Sequence, residues 1–468
     1  MFKGCTSLTS APELPATTLS SNCYKGMFSG CTSLTSAPTL SATTIGYDCY
    51  EEMFKGCTSL TTAPALPATD IGYSCYQSMF EGCTSLTSAP TLPATKMESH
   101  CYSNMFKGCT SLTSAPALPA TALDEASYCY SGMFEGCTSL TAAPALPAEI
   151  EKATNCYNNM FKGCTLLTSA PALPSSSTPD GCYGSMFEDC ISLTTAPTLS
   201  STDYIGEFTY SSMFKGCTSL TAAPALPCLS VSTYGYSSMF EGCTSLTTAP
   251  ASLPATTIAA SCYNSMFKGC TSLTTAPTLV APTEVISEYY DTADNAYSNM
   301  FEGCTSLTTA PNITNNLDYA GGEYVYYEMF KGCTSLTTPP TLNIKHISSY
   351  TCCNMFIGCT SLTAIPSLSS VIFIGDSGCS SMFEDCTSLT TVSIPNISKY
   401  SDMYAFGSIF KGCSNLNDVT CLVTNYNEND NSSDAFSYWL DDVAATGTLK
   451  KKSSSNFQVP EAWTITNV

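Results

Sequence analysis

The chain of 468 residues contains no arginine, only two histidines (His100 and His346), only two tryptophans and only 11% charged residues. Each scarcity excludes something. With no arginine and a net charge of −21, there is no basic footprint for a nucleic acid and no attraction to an anionic membrane surface. Two histidines in separate coils leave neither a base for a repeated cysteine nor a multi-histidine metal site. No phosphate loop or nucleophile motif occurs, and the adjacent pair Cys352-Cys353 lacks the C-x-x-C spacing. The expectation is a non-enzymatic protein with no cofactor and no metal. No window reaches the roughly 18–20 apolar residues of a membrane span. A charged-then-apolar leader is also missing, because Met1 opens directly on a repeat; the expectation there is missing upstream sequence.

What is present is one unit, MFKGCTSLTTAPALPAT as it stands at 53–69, written again and again. The Met-Phe pair recurs from Met1 to Met382, with Ile409-Phe410 as a degenerate last copy, mostly at steps of 26 or 27 and with a longest step of 34 from Met266 to Met300. A period this short is no independent domain; each unit buries its apolar face only against its neighbours. The repeat predicts an α/β solenoid of about 16 coils, with short parallel strands on one face and short helices on the other.

One coil carries the detail. Cys75, Tyr76, Met79 and Phe80 fall at i, i+1, i+4 and i+5, which predicts one stripe of a short helix. Gly82 stands where such a helix ends left-handed, and Asp189 and Asp385 replace it in two coils with a residue that tolerates that region. A short strand is predicted around Ser85–Ser88, because Pro90 and Pro93 have no N–H to give a ladder. The variable segment 94–100 is read as a crossing to the next coil.

Sixteen of the 29 cysteines follow a glycine (or Asp189, Asp385) in one column, and eight precede a tyrosine in another. The second column is lost at Thr209, Gly235, Ala296 and Val325, while the first persists in those coils; obligate disulfide partners would be lost together. The cysteines are read as small buried thiols. The residue after Met-Phe alternates in sign from Lys55 to Lys331, a pattern that suits an inter-coil ion-pair ladder or a duplicated two-coil unit.

Past Met266 the pattern loosens into two acidic, tyrosine-bearing stretches, 280–297 and 312–327. Clustered tyrosines favour recognition, and Tyr289, Tyr290, Tyr319, Tyr324 and Tyr326 are the candidate partner-binding residues. After Cys413 the chain changes character. The polar stretch 425–434 lacks the glycine and terminal glutamate of a calcium loop. Phe436, Trp439, Leu440 and Val443 predict an amphipathic helix, and Lys450, Lys451 and Lys452 read as edge protection beside a terminal strand. The domain expectation is a solenoid over 1–413 and a capping segment over 414–468.

The run Phe80-x-x-Cys83-x-x-Leu86-x-x-Ala89, then Leu92-Pro93 and a short crossing to Phe106, resembles the BspA-like leucine-rich repeat. The resemblance extends over about 1–413. It implies a surface-exposed, extracellular adhesin that binds host proteins or other cells, and it transfers no catalytic residue. The alternative is a virion or filament component that uses the solenoid as a rigid spacer.

Overall fold

The computed structural model describes all residues except 121–122, 124–125, 148–149, 151, 175–176, 201, 286–292, 315–321, 398, 402 and 425–433. It divides into two compact units, Met1–Pro227 and Cys228–Val468. In each, successive repeats form turns of a parallel β-solenoid, about 15 turns in all. Among the described residues there is no helix.

The expected helices are runs of consecutive turns. In the coil at 128–137, alternate N–H groups close local turns: Ser131 donates to Tyr128 O (3.2 Å), Met133 to Tyr130 O (3.2 Å) and Glu135 to Gly132 O (3.1 Å). The groups between them donate to the following coil: Tyr130 to Cys156 O (3.0 Å), Gly132 to Asn158 O (2.8 Å) and Phe134 to Met160 O (2.9 Å). Half the backbone donors thus make the turn and half make the stack. Residues at every fourth position, here Tyr128, Gly132 and Gly136, have φ of 58, 61 and 71°, which interrupts any helix. Gly82 is left-handed as expected, at φ 73°, and Asp189 and Asp385 carry that conformation at 59 and 61°. A Cβ on Gly108 would meet Gly82 Cα and N, both at an ordinary 3.8 Å, so conformation rather than space calls for glycine there.

The strands are also displaced from their predicted place. Around Ser88 only a single bridge forms, to Thr62, as the nearby prolines require. Two-residue parallel strands form instead in the segment read as a crossing: Asp70–Ile71 pairs with Lys96–Met97, and Thr18–Leu19 with Thr44–Ile45. The second unit ends in a four-stranded parallel sheet of Thr391–Ile394, Asp418–Cys421, Gly447–Lys451 and Trp463–Asn467, in that order. The predicted helix at 436–443 is another turn run over 435–442. Lys450 and Lys451 lie on an interior strand, so they do not guard the edge; Lys451 is buried and donates to Ser455 O, and the outer strand is Trp463–Asn467. The polar stretch from 425 to 433 lies outside the described residues.

The core is a set of columns that run from coil to coil. Phe28, Phe54, Phe80 and Phe106 stack at 5.6–5.7 Å and within 8° of parallel. Tyr50, Tyr76 and Tyr102 do so at 5.6 and 5.9 Å. In the second unit Phe267 and Phe301 keep 5.6 Å across the longest step, so the added residues do not enter the stack. Burial of each ring contributes about 1.5–3 kcal/mol, and aromatic pairing about 0.5–1.5 more.

All 29 cysteines are free, and all but Cys5 and Cys23 are buried. Their spacing has a physical reason. The first-column thiols donate to the phenylalanine carbonyl of the preceding coil, Cys57 to Phe28 O and Cys83 to Phe54 O, both at 3.1 Å. In the second column Cys75 donates to Gly46 O at 3.0 Å. Where that column loses cysteine, Thr209 Oγ1 donates to Pro179 O (3.2 Å) and Gly206 O (3.0 Å). Gly235, Ala296 and Val325 carry no donor at the same position, so the column takes a small buried residue and makes this bond only where a thiol or hydroxyl is present.

The alternating charges resolve into pairs. Lysine bonds the glutamate of the next coil in Lys55–Glu81 (3.1 Å), Lys107–Glu135 (2.9 Å) and Lys162–Glu188 (2.9 Å). Among the described residues no ion pair joins Glu81 to Lys107 or Glu135 to Lys162.

Candidate recognition surface

The tyrosine column is buried because its rings sit inside the turn run. The residue two positions earlier is left-handed, and its side chain turns outward. In the second unit Tyr324 and Tyr350 occupy this outer position in successive coils, at φ 59 and 56°. Their rings stack at 4.8 Å, within 2° of parallel, and Tyr327 meets Tyr324 edge-on at 5.6 Å. The stacking holds because Tyr324 N–H donates to Ser349 O (3.3 Å) and Tyr350 N–H to Asp376 O (3.0 Å).

A polar cluster adjoins the rings. Glu328 accepts from Asn299 (3.0 Å) and Asn354 (3.2 Å) and pairs with Lys331 at 3.1 Å. Burial alone would raise the Glu328 pKa, but hydrogen bonds from Lys331, Tyr327 and Asn354 together hold it below the usual carboxylate range. Burial and the Glu328 charge push the Tyr327 hydroxyl up to about 12. At neutral pH the patch therefore presents neutral phenols beside an ionised, partly neutralised carboxylate.

The candidate tyrosines are not all alike. Tyr324 is half-buried on this patch. Tyr326 is only 2% exposed and stacks on Tyr297 at 5.6 Å inside the buried column; it packs the core and is not a surface anchor. Tyr289, Tyr290 and Tyr319 lie outside the described residues. A second aromatic stripe, in the first unit, escaped sequence reasoning: Tyr47, Tyr73, His100 and Tyr128. Tyr73 meets His100 edge-on at 5.4 Å, and His100 stacks on Tyr128 at 4.7 Å. The Tyr47 ring lies across Gly72, where a Cβ would come within 2.6 Å of it. Burial lowers the His100 pKa, so it is neutral at pH 7. The available signal was the offset: Tyr47 and Tyr73 stand three residues before a column tyrosine, His100 and Tyr128 two.

The described residues offer little for catalysis. Burial pushes the Cys57 and Cys75 thiols up to about 12, the wrong direction for a nucleophile. Among the described residues no group of three or more His, Cys, Asp or Glu could hold a metal ion, and no helix is long and apolar enough to cross a membrane.

A family model described as BspA type leucine rich repeat region matches in six overlapping copies, over 1–113, 76–221, 127–274, 182–328, 286–377 and 323–458. No curated protein matches the chain. Among solved structures, a leucine-rich repeat protein from Bacteroides ovatus superposes with a TM-score of 0.52 at 20% identity, covering 86% of this chain and 91% of that one. That likeness concerns the fold alone. A leucine rich cell surface protein from Faecalibacterium prausnitzii reaches a TM-score of 0.37 at 19% identity, covering 81% of this chain and 90% of that one. A leucine-rich repeat protein from Eubacterium ventriosum reaches 0.33 at 15%, covering 84% and 86%. At those scores neither superposition carries an argument.

Proposed function

The chain belongs to the BspA-type leucine-rich repeat family, and from that membership we propose that it is a non-enzymatic, surface-exposed adhesion protein that recognises a protein or cell-surface ligand. The observation that carries the reading is the Tyr324–Tyr350 pair. A bulky residue in the left-handed region costs roughly 1–2 kcal/mol. Tyr350 meets that cost with an exposed ring, so burial does not offset it. The left-handed conformation recurs from coil to coil, at buried Tyr50 and Tyr76 as well, so it belongs to the turn run; what the pair adds is two stacked aromatic rings at the surface. The coils otherwise offer a Ser/Thr surface that distinguishes partners poorly, whereas an aromatic anchor contributes about 2 kcal/mol or more when a partner buries it. Tyr289, Tyr290 and Tyr319 are adjacent in sequence and belong to the same reading, with 1–413 as the scaffold and 414–468 as its cap.

The test is adhesion of beads coated with the full chain to cultured epithelial cells and to immobilised matrix proteins. Wild-type beads are expected to adhere, and beads carrying Tyr324→Ser with Tyr350→Ser to adhere several-fold less at an unchanged melting temperature. Adhesion no better than that of beads coated with heat-unfolded chain removes the binding reading. Adhesion unaffected by the two substitutions places the site elsewhere.

A further inference from the structure

The turn runs donate predominantly from one coil to the next in sequence; at Tyr50 and Tyr76 the N–H instead donates back, to Cys23 O (3.1 Å) and Cys49 O (3.2 Å). At the final such junction Phe406 N–H donates to Ala435 O (2.8 Å), Ser408 to Ser437 O (2.8 Å), Phe410 to Trp439 O (3.1 Å) and Gly412 to Asp441 O (2.9 Å). The run at 435–442 receives these bonds. Its own intervening N–H groups at Trp439 and Asp441 close local turns onto Phe436 O and Tyr438 O, at 3.4 and 3.3 Å. The N–H groups of Tyr438, Leu440 and Asp442, which correspond to those of Ser408, Phe410 and Gly412, donate to no acceptor among the described residues. Three parallel donors two residues apart are therefore left open.

They border a groove of about 450 Å³, lined on one side by 438–442 and on the other by Gln458, Val459 and Pro460. The second wall is fixed: Trp439 Nε1 donates to Gln458 O at 2.9 Å, and the Phe457 ring rests on Trp439 at 5.1 Å. Tyr438 projects beside it, 66% exposed. The charge of the site narrows the occupant. In the column after the aromatic, Glu384 pairs with Lys411 at 3.2 Å, and Asp441 comes next. Asp442 follows it in the left-handed position of the usual glycine, at φ 56°. Both carboxylates are exposed and neither is in an ion pair. Two carboxylates repel a phosphate or carboxylate ligand despite the free N–H groups. Neutral carbonyl acceptors that carry a cation nearby meet both demands.

We propose that this groove binds a lysine-bearing polypeptide segment of a partner protein, which adds to the stack as one more coil would. A polypeptide presents carbonyls at the two-residue period that the donors have, the same logic by which an open sheet edge takes up a strand. The junctions within the second unit show what such a segment supplies: alternate carbonyls to the preceding coil's N–H groups and, at the charge column, the opposite sign in Lys268–Glu302, Glu302–Lys331 and Glu384–Lys411, with uncharged Ile357 as the exception. The lysine falls opposite Asp441. This surface is separate from the Tyr324 patch and does not depend on what that patch binds.

The probe is a capped peptide of sequence SNMFKGCTSL, which stands at 103–112 and in register offers the carbonyls of Ser103, Met105 and Lys107. Its partner probe differs only by glutamate in place of the lysine. Hydrogen exchange of the full chain is followed amide by amide. Saturating lysine peptide is expected to slow exchange at Tyr438, Leu440 and Asp442 by about tenfold or more, the glutamate peptide to do so far less, and the exposed substitution Asp441→Lys to reverse the preference. No protection at the three amides, or equal protection by both peptides, overturns the proposal. Protection that rises with chain concentration in the absence of peptide assigns the groove to a second copy and overturns the partner assignment.

Discussion

The second cysteine column makes a prediction whose sign, not only its size, discriminates. Cys75 is fully buried, and its thiol donates to Gly46 O at 3.0 Å. Threonine and valine have the same shape, so Cys75→Thr and Cys75→Val differ only in a hydroxyl against a methyl. If the column needs a donor, threonine recovers the bond, as Thr209 does with its two carbonyl acceptors, and exceeds valine by about 1 kcal/mol. If the column needs only small apolar volume, an unbonded hydroxyl costs about 1–3 kcal/mol to bury, and valine is the more stable. Both variants are compared by denaturant unfolding, with hydrogen exchange at Gly72–Met79 to localise the effect within a long repeat array. Valine equal to or better than threonine refutes the assignment of the columns as hydrogen-bond donors.

Other outcomes follow from the same geometry. Converting Glu81, Glu135 and Glu188 together to lysine breaks three inter-coil pairs; the loss is about 0–1 kcal/mol per pair and is expected to be larger in low salt than in high, because these groups are partly exposed. Gly108→Ala is expected to cost about 1–2 kcal/mol through its φ of 71° alone, and Gly108→Asp less, as Asp189 and Asp385 indicate; equal melting temperatures for the two variants refute this. The buried thiols predict alkaline unfolding. Their folded pKa lies above the unfolded value, so the stability they contribute is fully present below pH 9.0 and is lost as pH rises towards about 12. Alkylation at pH 8 is expected to label Cys5 and Cys23 well before the buried cysteines, which mass spectrometry of the modified peptides checks.

The repeat, its glycine position and its buried columns were legible in the residues, while the local conformation was misread. Cys75, Tyr76, Met79 and Phe80 recur with a four-residue rhythm that an α-helix and a chain of turns share, so burial alone could not separate them. The residues between them could have. Ser74, Ser78 and Gly82 all lie at positive φ, and serine and glycine favour turns and left-handed backbone over helix interiors. Equivalent positions hold Asn155, Asn159 and Gly163, then Gly181, Ser185 and Asp189. A helix would leave no donor free for the next coil, whereas the turn run sends every second N–H across. The short strands follow from this: with the turns already binding coil to coil, the crossing needs only two paired residues.

That division of backbone bonds also explains why the candidate surfaces were only partly legible. A tyrosine two residues before the column points outward and a tyrosine in the column points inward, so Tyr324 and Tyr326 have opposite fates although they share a sequence cluster. Clustering in sequence is therefore a poor guide in this fold; the offset from the buried column is the informative quantity. The open donors at 438–442 were invisible for a related reason, since an unpaired N–H has no side-chain signature. They become visible only once the prevailing polarity of the junctions is known, because the N–H groups of the run at 435–442 that correspond to the inter-coil donors then stand out as meeting no carbonyl among the described residues, and the acidic residues there say what can approach them.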